Sequence, residues 1–592
     1  MNPLRPRLSR RQFLYGAMAS GIWLSLPSGL RADTMGNRIT ENVPAILTGH
    51  TFDLIVSETE VNFSGVSRLA TTINGSIPAP TLVWREGDTV TIRVTNKLGV
   101  TTSIHWHGII LPFQMDGVPG ISFDGIAPGK TFTYQFKVQQ SGTYWYHSHS
   151  GFQEMTGMYG AIIILPKSGD GINAERDHVV LLSDWTDDDP MAVFARLKHQ
   201  SDYYNFNQPT VADFFHDARV LGMSAAISKR QMWNEMRMNP TDLADLSASA
   251  LTFLMNGRTA AGNWFGVVKK GERVRLRFIN GSSNTFFDVR VPGLKMVVVQ
   301  ADGQNVEPVT CEEFRFGPGE TYDVIVRTDE DAHTIFAQTM DRTGFVRGTL
   351  GTTPEVQPPV PDMDSPQWLS MTDMMGTMGA SAGTHGGHDE MHGKMAMDHS
   401  AHRMGASQHT GHDSLAAPSQ LVRHARTEYG ATVDMRVDTP RTNLDDPGIG
   451  LRNNGRRVLT LDDLRTIGGP MDERMPAREV ELHLTGNMER YSWSFDGVEF
   501  GQSTPVHFRH GERVRVILQN DTMMTHPMHL HGLWSELEND KGDFLARRHT
   551  IPIQPAQRIS FQVTADALGR WAWHCHLLFH MDAGMFREVV VS

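Results

Sequence analysis

Gly87-Asp88-Thr89-Val90-Thr91-Ile92-Arg93-Val94-Thr95-Asn96 reads as an acidic glycine turn followed by an alternating strand that stops at an asparagine. The phrase returns as Gly271-Glu272-Arg273-Val274-Arg275-Leu276-Arg277-Phe278-Ile279-Asn280, and again as Gly511-Glu512-Arg513-Val514-Arg515-Val516-Ile517-Leu518-Gln519-Asn520. Three copies in a chain of 592 residues, too long for a single core, point to three related domains. Short alternating strands, Gly- and Pro-rich turns and little helical periodicity give the class: all-β, three consecutive Greek-key β-sandwiches. The expected bounds are 45–166, 175–353 and 420–592, with brief helices around Pro190 to Lys198 and Asp242 to Leu251.

Nine residues after Asn96 stands His105, in His105-Trp106-His107-Gly108; nine after Asn520 stands His529, in His526-Pro527-Met528-His529-Leu530-His531-Gly532. Nine after Asn280 is Val289, so the middle copy has no histidine there. Further on, His147-Ser148-His149 aligns without gaps on His574-Cys575-His576, and the match continues to Met158 and Met585. In the first domain Thr102, Ser148 and Gln153 then occupy the places of His526, Cys575 and His580. The middle domain, at His333 to Gln338, keeps neither set.

Residues i and i+2 of a strand share a face, so each H-x-H pair offers two imidazoles to one metal cluster. Four come from the first domain and four from the third, which puts the cluster at their interface. Cys575 points away from His574 and His576, toward His580, Met585 and His526, whose odd offset from His529 turns it to that side. Two histidines, a thiolate and a weak thioether are the ligand set of a blue electron-transfer copper. One strand would therefore touch two metal sites. The middle domain is expected to be a spacer without ligands.

The formal charge of -12 argues against a nucleic-acid partner. With Cys575 committed to metal, the only other cysteine, Cys311, has no disulfide partner and is expected to be an inert buried thiol. Ser9-Arg10-Arg11-Gln12-Phe13-Leu14, an apolar run to about Pro27, and Leu30-Arg31-Ala32 before Asp33 form a twin-arginine export signal over residues 1–32. That predicts a bacterial periplasmic protein and the twin-arginine machinery as a partner, and no later stretch is long enough to span a bilayer. Residues 354–419 change composition sharply. Met371, Met374, Met375, Met378, Met391, Met395, Met397 and Met404 alternate there with His385, His388, His392, His399, His402, His409 and His412. Almost without aromatic or branched residues, this linker is expected to be disordered. Its thioethers and imidazoles suit copper capture, a plain solvated linker being the blander alternative.

These motifs resemble the multicopper oxidases over essentially the whole mature chain. With Leu484-Thr485-Gly486-Asn487-Met488-Glu489-Arg490-Tyr491 and Asn520-Asp521-Thr522-Met523-Met524, they are similar to the periplasmic copper-resistance protein A group within that family. The resemblance implies cupredoxin-like domains and four copper ions. It makes His526, Cys575, His580 and Met585 the type 1 ligands and His105 and His529 the type 2 pair. His107, His147, His149, His531, His574 and His576 become the ligands of the two type 3 ions. Electrons taken singly at the type 1 site would pass through Cys575 to His574 and His576, and dioxygen would be reduced to water. Asp116 matches an acidic position beside the cluster, although Asp116-Gly117 is also a plain turn pair. Many bacterial relatives carry a glutamate where this chain has Phe579, which leaves Glu154 and Asp582 as candidates for a second proton donor.

The expected reductant is Cu(I), oxidised to Cu(II) in the service of copper resistance. Met523, Met524 and Met528 flank His526, and Asp496, Glu499, Glu536 and Glu538 are candidates for an acidic approach. Other periplasmic copper-handling proteins are possible partners. A laccase-like phenol oxidase taking a small organic reductant would share every ligand. A copper-sequestering protein with incidental oxidase activity would use the same Met/His-rich segment. A metal-free structural relative would have no reason to keep Cys575 between two histidines.

Overall fold

The computed structural model of the protein describes residues 44–236, 238–376 and 417–592. The twin-arginine segment lies outside the described residues, as do Met378, His385, His388, Met391, His392, Met395, Met397, His399 and His402. The described strands form six sheets, two to each of three cupredoxin-like sandwiches.

The repeated phrase becomes an inner strand of one sheet in each sandwich: Thr89–Asn96, Arg273–Asn280 and Arg513–Asn520. Each runs parallel to an earlier strand (Thr51–Val61, Arg176–Trp185 or Arg478–Asn487). Each is antiparallel to a later one (Thr131–Lys137, Thr321–Arg327 or Arg558–Thr564). The terminal asparagine has the same task in all three copies. Its amide nitrogen donates to two carbonyls, those of Val100 and Ile126, of Thr285 and Phe316, and of Met524 and Ile553. Its oxygen accepts the backbone N–H two residues on, at Leu98, Ser282 and Thr522. A buried side-chain amide so satisfied fixes the loop that leaves the strand.

In the first and third sandwiches that loop leads into the histidine strand of the other sheet. His105–His107 pairs with Gly142–His147, placing His105 opposite His147. His526–Leu530 pairs with Gly569–Cys575, placing His529 opposite His574 and Met528 opposite Cys575. Trp106 and Leu530, the middle residues of their H-x-H pairs, are buried in the sandwich core, so the flanking imidazoles turn outward from it. The glycine after each pair is required by backbone and by space. Gly108 has φ 76° and Gly532 φ 67°. A Cβ would fall 2.3 Å from the His549 ring at Gly108 and 2.2 Å from Trp571 at Gly532.

Helices are few. Pro190–His199 forms, its first turn capped by the Asp189 carboxylate accepting from Met191 N–H. The helix expected over 242–251 does not: that stretch runs in turns and bends. Two unexpected helices precede it, Val211–Leu221, opened by a Thr210/Asp213 capping box, and Met223–Met236. The start of the Met/His-rich linker is ordered, contrary to expectation. Met371–Met375 is a short helix capped by Ser370 and Asp373; Met374 is fully buried and Asp373 pairs with Arg452. Met374 is therefore a core side chain, while Met371 and Met375 are half-buried. Cys311 is buried, and burial pushes its thiol up to about 12. Among the described residues no helix is long and apolar enough to cross a membrane.

Candidate metal centre

The four H-x-H pairs, brought from the first and third sandwiches, converge on one buried region. His107, His147 and His576 form one group whose donor atoms lie within 4.8 Å of one another; His149, His531 and His574 form a second. His531 Nε2 and His574 Nε2 are 3.0 Å apart, and His149 Nε2 is 3.4 Å from the latter. His105 and His529 stack on members of both pairs: His105 on His531 at 3.9 Å and His529 on His107 at 3.8 Å between ring centroids.

What holds the rings explains which nitrogen is free. His105 Nδ1 donates to the Asp116 carbonyl at 2.8 Å, His529 Nδ1 to the His549 carbonyl at 2.6 Å and His574 Nδ1 to the Cys575 carbonyl at 2.9 Å. His531 Nδ1 lies 3.0 Å from Asp116 Oδ2, and His147 Nδ1 2.6 Å from Glu154 Oε2. A proton fixed on Nδ1 leaves the Nε2 lone pair facing inward, the arrangement that orients metal-binding histidines. The Nε2 atoms of His105, His147 and His529, and both ring nitrogens of His107 and His576, are buried with no hydrogen-bond partner. Buried polar atoms are rarely left so. Burial, then neighbouring rings, keeps His107, His147, His149, His529, His531 and His576 well below the usual histidine range, and His574 at about 4. Neutral, converging, unpartnered imidazoles fit a transition-metal cluster.

On the other face of the strand, His526 Nδ1 lies 3.4 Å from Cys575 Sγ and 3.1 Å from His580 Nδ1, which is itself 3.8 Å from the sulfur. Thr522 Oγ1 holds His526 Nε2 at 2.7 Å, and Trp493 stacks on the His580 ring at 3.9 Å. Met585 is fully buried; its carbonyl accepts from Cys575 N–H and its N–H donates to the His580 carbonyl. Burial drives the Cys575 thiol well above its usual range, a cost that a bound cation reverses by taking the thiolate.

The middle sandwich is more than a spacer. Asp245 Oδ2, from the stretch expected to be helical, lies 2.9 Å from His580 Nε2. Asp302, also from the middle sandwich, accepts from the backbone N–H groups of His549 and Thr550. His549 groups with His107 and His529 but belongs to no H-x-H pair, so sequence spacing gave no sign of it. Asp245 was equally hidden, because its contact with His580 spans 335 residues. Of the two proton-donor candidates, Glu154 sits against His147, whereas Asp582 is exposed and faces Lys198. Phe579 packs its ring against Phe152 and Phe194. The acidic approach fails at Glu536 and Glu538, which are buried against Arg513 and Arg515. Asp496 accepts from the His483 backbone and Glu499 from Ser492. Met524 and Met528 are core residues.

Family models for multicopper oxidases match residues 55–169, 176–354 and 473–592. Copper resistance protein A of Escherichia coli is 52% identical over 617 residues, with 99% of each chain covered. A copper resistance protein A homolog of Pseudomonas syringae pv. tomato is 53% identical over 587 residues, again with 99% of each covered. The crystal structure of Fet3p, a multicopper oxidase that functions in iron import, shares the fold. Its TM-score is 0.63 at 18% identity, over 92% of this chain and 91% of that one.

Proposed function

Because the chain belongs to the multicopper oxidase family, we propose that it oxidises Cu(I) to Cu(II) in the bacterial periplasm and passes the electrons to dioxygen. Four Cu(I) ions give up four electrons; dioxygen takes these with four protons and leaves as two waters. We assign His526, Cys575, His580 and Met585 to a type 1 copper and His105 and His529 to a type 2 copper. His107, His147 and His576 take one type 3 copper and His149, His531 and His574 the other. Bound copper supplies one-electron redox chemistry beside Cys575 and a multi-electron store within the histidine cluster. The Ser9–Leu14 motif supports export by the twin-arginine route.

The chain's own groups do the rest. Cys575 ends its strand directly between His574 and His576 in sequence, so an unbroken covalent path through adjacent residues joins the two sites. Asp116 and Glu154 each reach an imidazole on the side away from the cluster. Burial holds Glu154 well above the usual carboxyl range, so it keeps a proton within hydrogen-bond reach of His147.

The observation that carries the Cu(I) reading is a cavity of about 440 Å³ walled by Met238, Met488, Met523, Asp202 and Asp242. Asp242 is held well above its usual range by burial and then by Asp245, Asp202 and Asp341. Carboxylates crowded in this way favour a cation, and thioethers favour a soft one. Asp245, whose charge acts on Asp242, in turn touches His580 of the proposed type 1 site. Trp233 and Trp368 also line the cavity and favour the alternative of a phenolic reductant.

The test is oxygen uptake by the copper-loaded mature protein given Cu(I) or dimethoxyphenol, beside a Cys575→Ser control. Rapid uptake with Cu(I) that the control lacks supports a cuprous oxidase. Uptake with phenol alone overturns it in favour of a laccase-like enzyme. No uptake from a protein that holds its copper would favour sequestration.

A further inference from the structure

A second constellation of metal-ligating side chains lies in the third sandwich, apart from the copper centre. His424 and Glu428 come from the segment that follows the Met/His-rich linker, Glu428 within the turn Arg426–Tyr429. His483 comes from the strand Arg478–Asn487, and Asp521 directly follows its parallel neighbour Arg513–Asn520. Four donor atoms form a closed ring. His424 Nδ1 is 2.7 Å from Glu428 Oε2 and 3.4 Å from Asp521 Oδ2; His483 Nδ1 is 3.1 Å and 2.9 Å from the same two oxygens. The four side chains are at most 7% exposed.

Each carboxylate has its other oxygen already occupied. Glu428 Oε1 accepts from Ala425 N–H, and Asp521 Oδ1 from Gln519 Nε2 and Val437 N–H. One oxygen of each is thus held pointing inward. His483 Nε2 is held 3.1 Å from Glu481 Oε1, whereas the buried Nε2 of His424, 3.3 Å from Asp438 Oδ1, makes no hydrogen bond. An outer carboxylate that takes the His483 Nε2 proton can leave its Nδ1 as a lone pair, as at metal-bound histidines. Each Nδ1 faces two carboxylate oxygens, and a single N–H serves only one of them well. Donors about 2.0–2.2 Å from a common metal centre stand about 2.8–3.6 Å from their neighbours, in square or tetrahedral arrangement. Three of the four distances around the ring, 2.9, 3.1 and 3.4 Å, fall in that range, and the fourth, 2.7 Å, lies just below it.

We propose that His424, Glu428, His483 and Asp521 bind one divalent transition-metal ion, Zn(II) or Cu(II), separate from the oxidase coppers. Two imidazoles and two carboxylates suit both ions, and the two negative charges match the ion's own. The metal would pin the segment around His424, which follows the Met/His-rich stretch, onto the sheet that holds Arg478–Asn487.

The test uses crystals of the copper-loaded mature protein, soaked separately with Zn(II) and Cu(II), with anomalous scattering measured at each absorption edge. A peak among the four atoms is expected, and the edge at which it appears identifies the metal. In solution, His424→Gln and Glu428→Gln should each retain one equivalent less of that metal after dialysis while keeping the visible absorption due to Cys575. No peak with either metal would overturn the proposal and leave an ion-pair cross between charged histidines and carboxylates. Should a variant fail to fold, the wild-type crystals alone decide.

Discussion

Asp116 Oδ2 lies 3.0 Å from His531 Nδ1, although 415 residues separate them and they belong to different sandwiches. The same residue accepts from His105 through its carbonyl. One aspartate therefore sets ring orientation on both sides of the seam. Asp116→Asn keeps the size but can present an N–H where His531 needs an acceptor. We expect a loss of 10- to 100-fold in oxygen uptake or cluster copper content, typical for an outer partner of a metal-binding histidine. Unchanged copper and unchanged uptake would mean that Asp116 is merely a turn residue.

Glu154 and His147 form the corresponding pair within the first sandwich. Glu154→Gln retains an acceptor for His147 Nδ1 but removes the acidic proton. Oxygen reduction should slow on the order of tenfold or more, with copper content kept. The slowing should be steepest at high pH, where protons are scarce. A rate that falls only in step with lost copper would show a positioning role alone.

The chelator-stripped protein should lose stability in acid. Burial lowers His574 and His549 from 6.5 to about 4 in the folded chain. An unfolded chain binds protons at these rings from about pH 6.5 downward while the folded one does not, so unfolding gains ground as pH falls. The stabilisation is complete above pH 6.5 and disappears progressively toward pH 4, on the order of 3 kcal/mol per ring. Melting temperature measured against pH, with and without copper, checks this; a flat curve for the stripped protein contradicts it.

Deletions in the Met/His-rich segment should depend sharply on where they start. Removal of 377–412 spares the Met371–Met375 helix and should weaken turnover of Cu(I) more than turnover of phenol. Removal from 371 also takes out buried Met374 and the Asp373–Arg452 pair, at about 2–5 kcal/mol for the core methionine alone. Calorimetry should show a lowered Tm for the second deletion only. Equal loss of both substrates in the first would sink a copper-capture role for the segment.

Local rules made much of this legible. Alternation along a strand is set by the backbone, so the split of Cys575 from His574 and His576 follows from spacing alone. The repeat announced the sandwiches because its turn, strand and asparagine all lie within ten residues. What escaped depends on packing between distant segments. Leu243, Leu246 and Leu251 have helical spacing, yet tertiary contacts override it: Asp245 turns to His580 and Ser247 Oγ donates to the Tyr204 carbonyl. Glu536 and Glu538 read as free acids because nothing nearby in sequence reveals Arg513 and Arg515. The Thr210-x-x-Asp213 signature was readable and marks the missed helix.

The asparagine clamps at Asn96, Asn280 and Asn520 have an evolutionary corollary. The middle clamp is intact although its loop leads to Val289 rather than to a histidine. Architecture and chemistry are thus written in separate letters of the repeat. A duplicated unit could shed or acquire metal chemistry by point changes downstream of the clamp without renegotiating its fold. Within this chain the ligand set has changed from copy to copy while the scaffold that displays it has stayed the same.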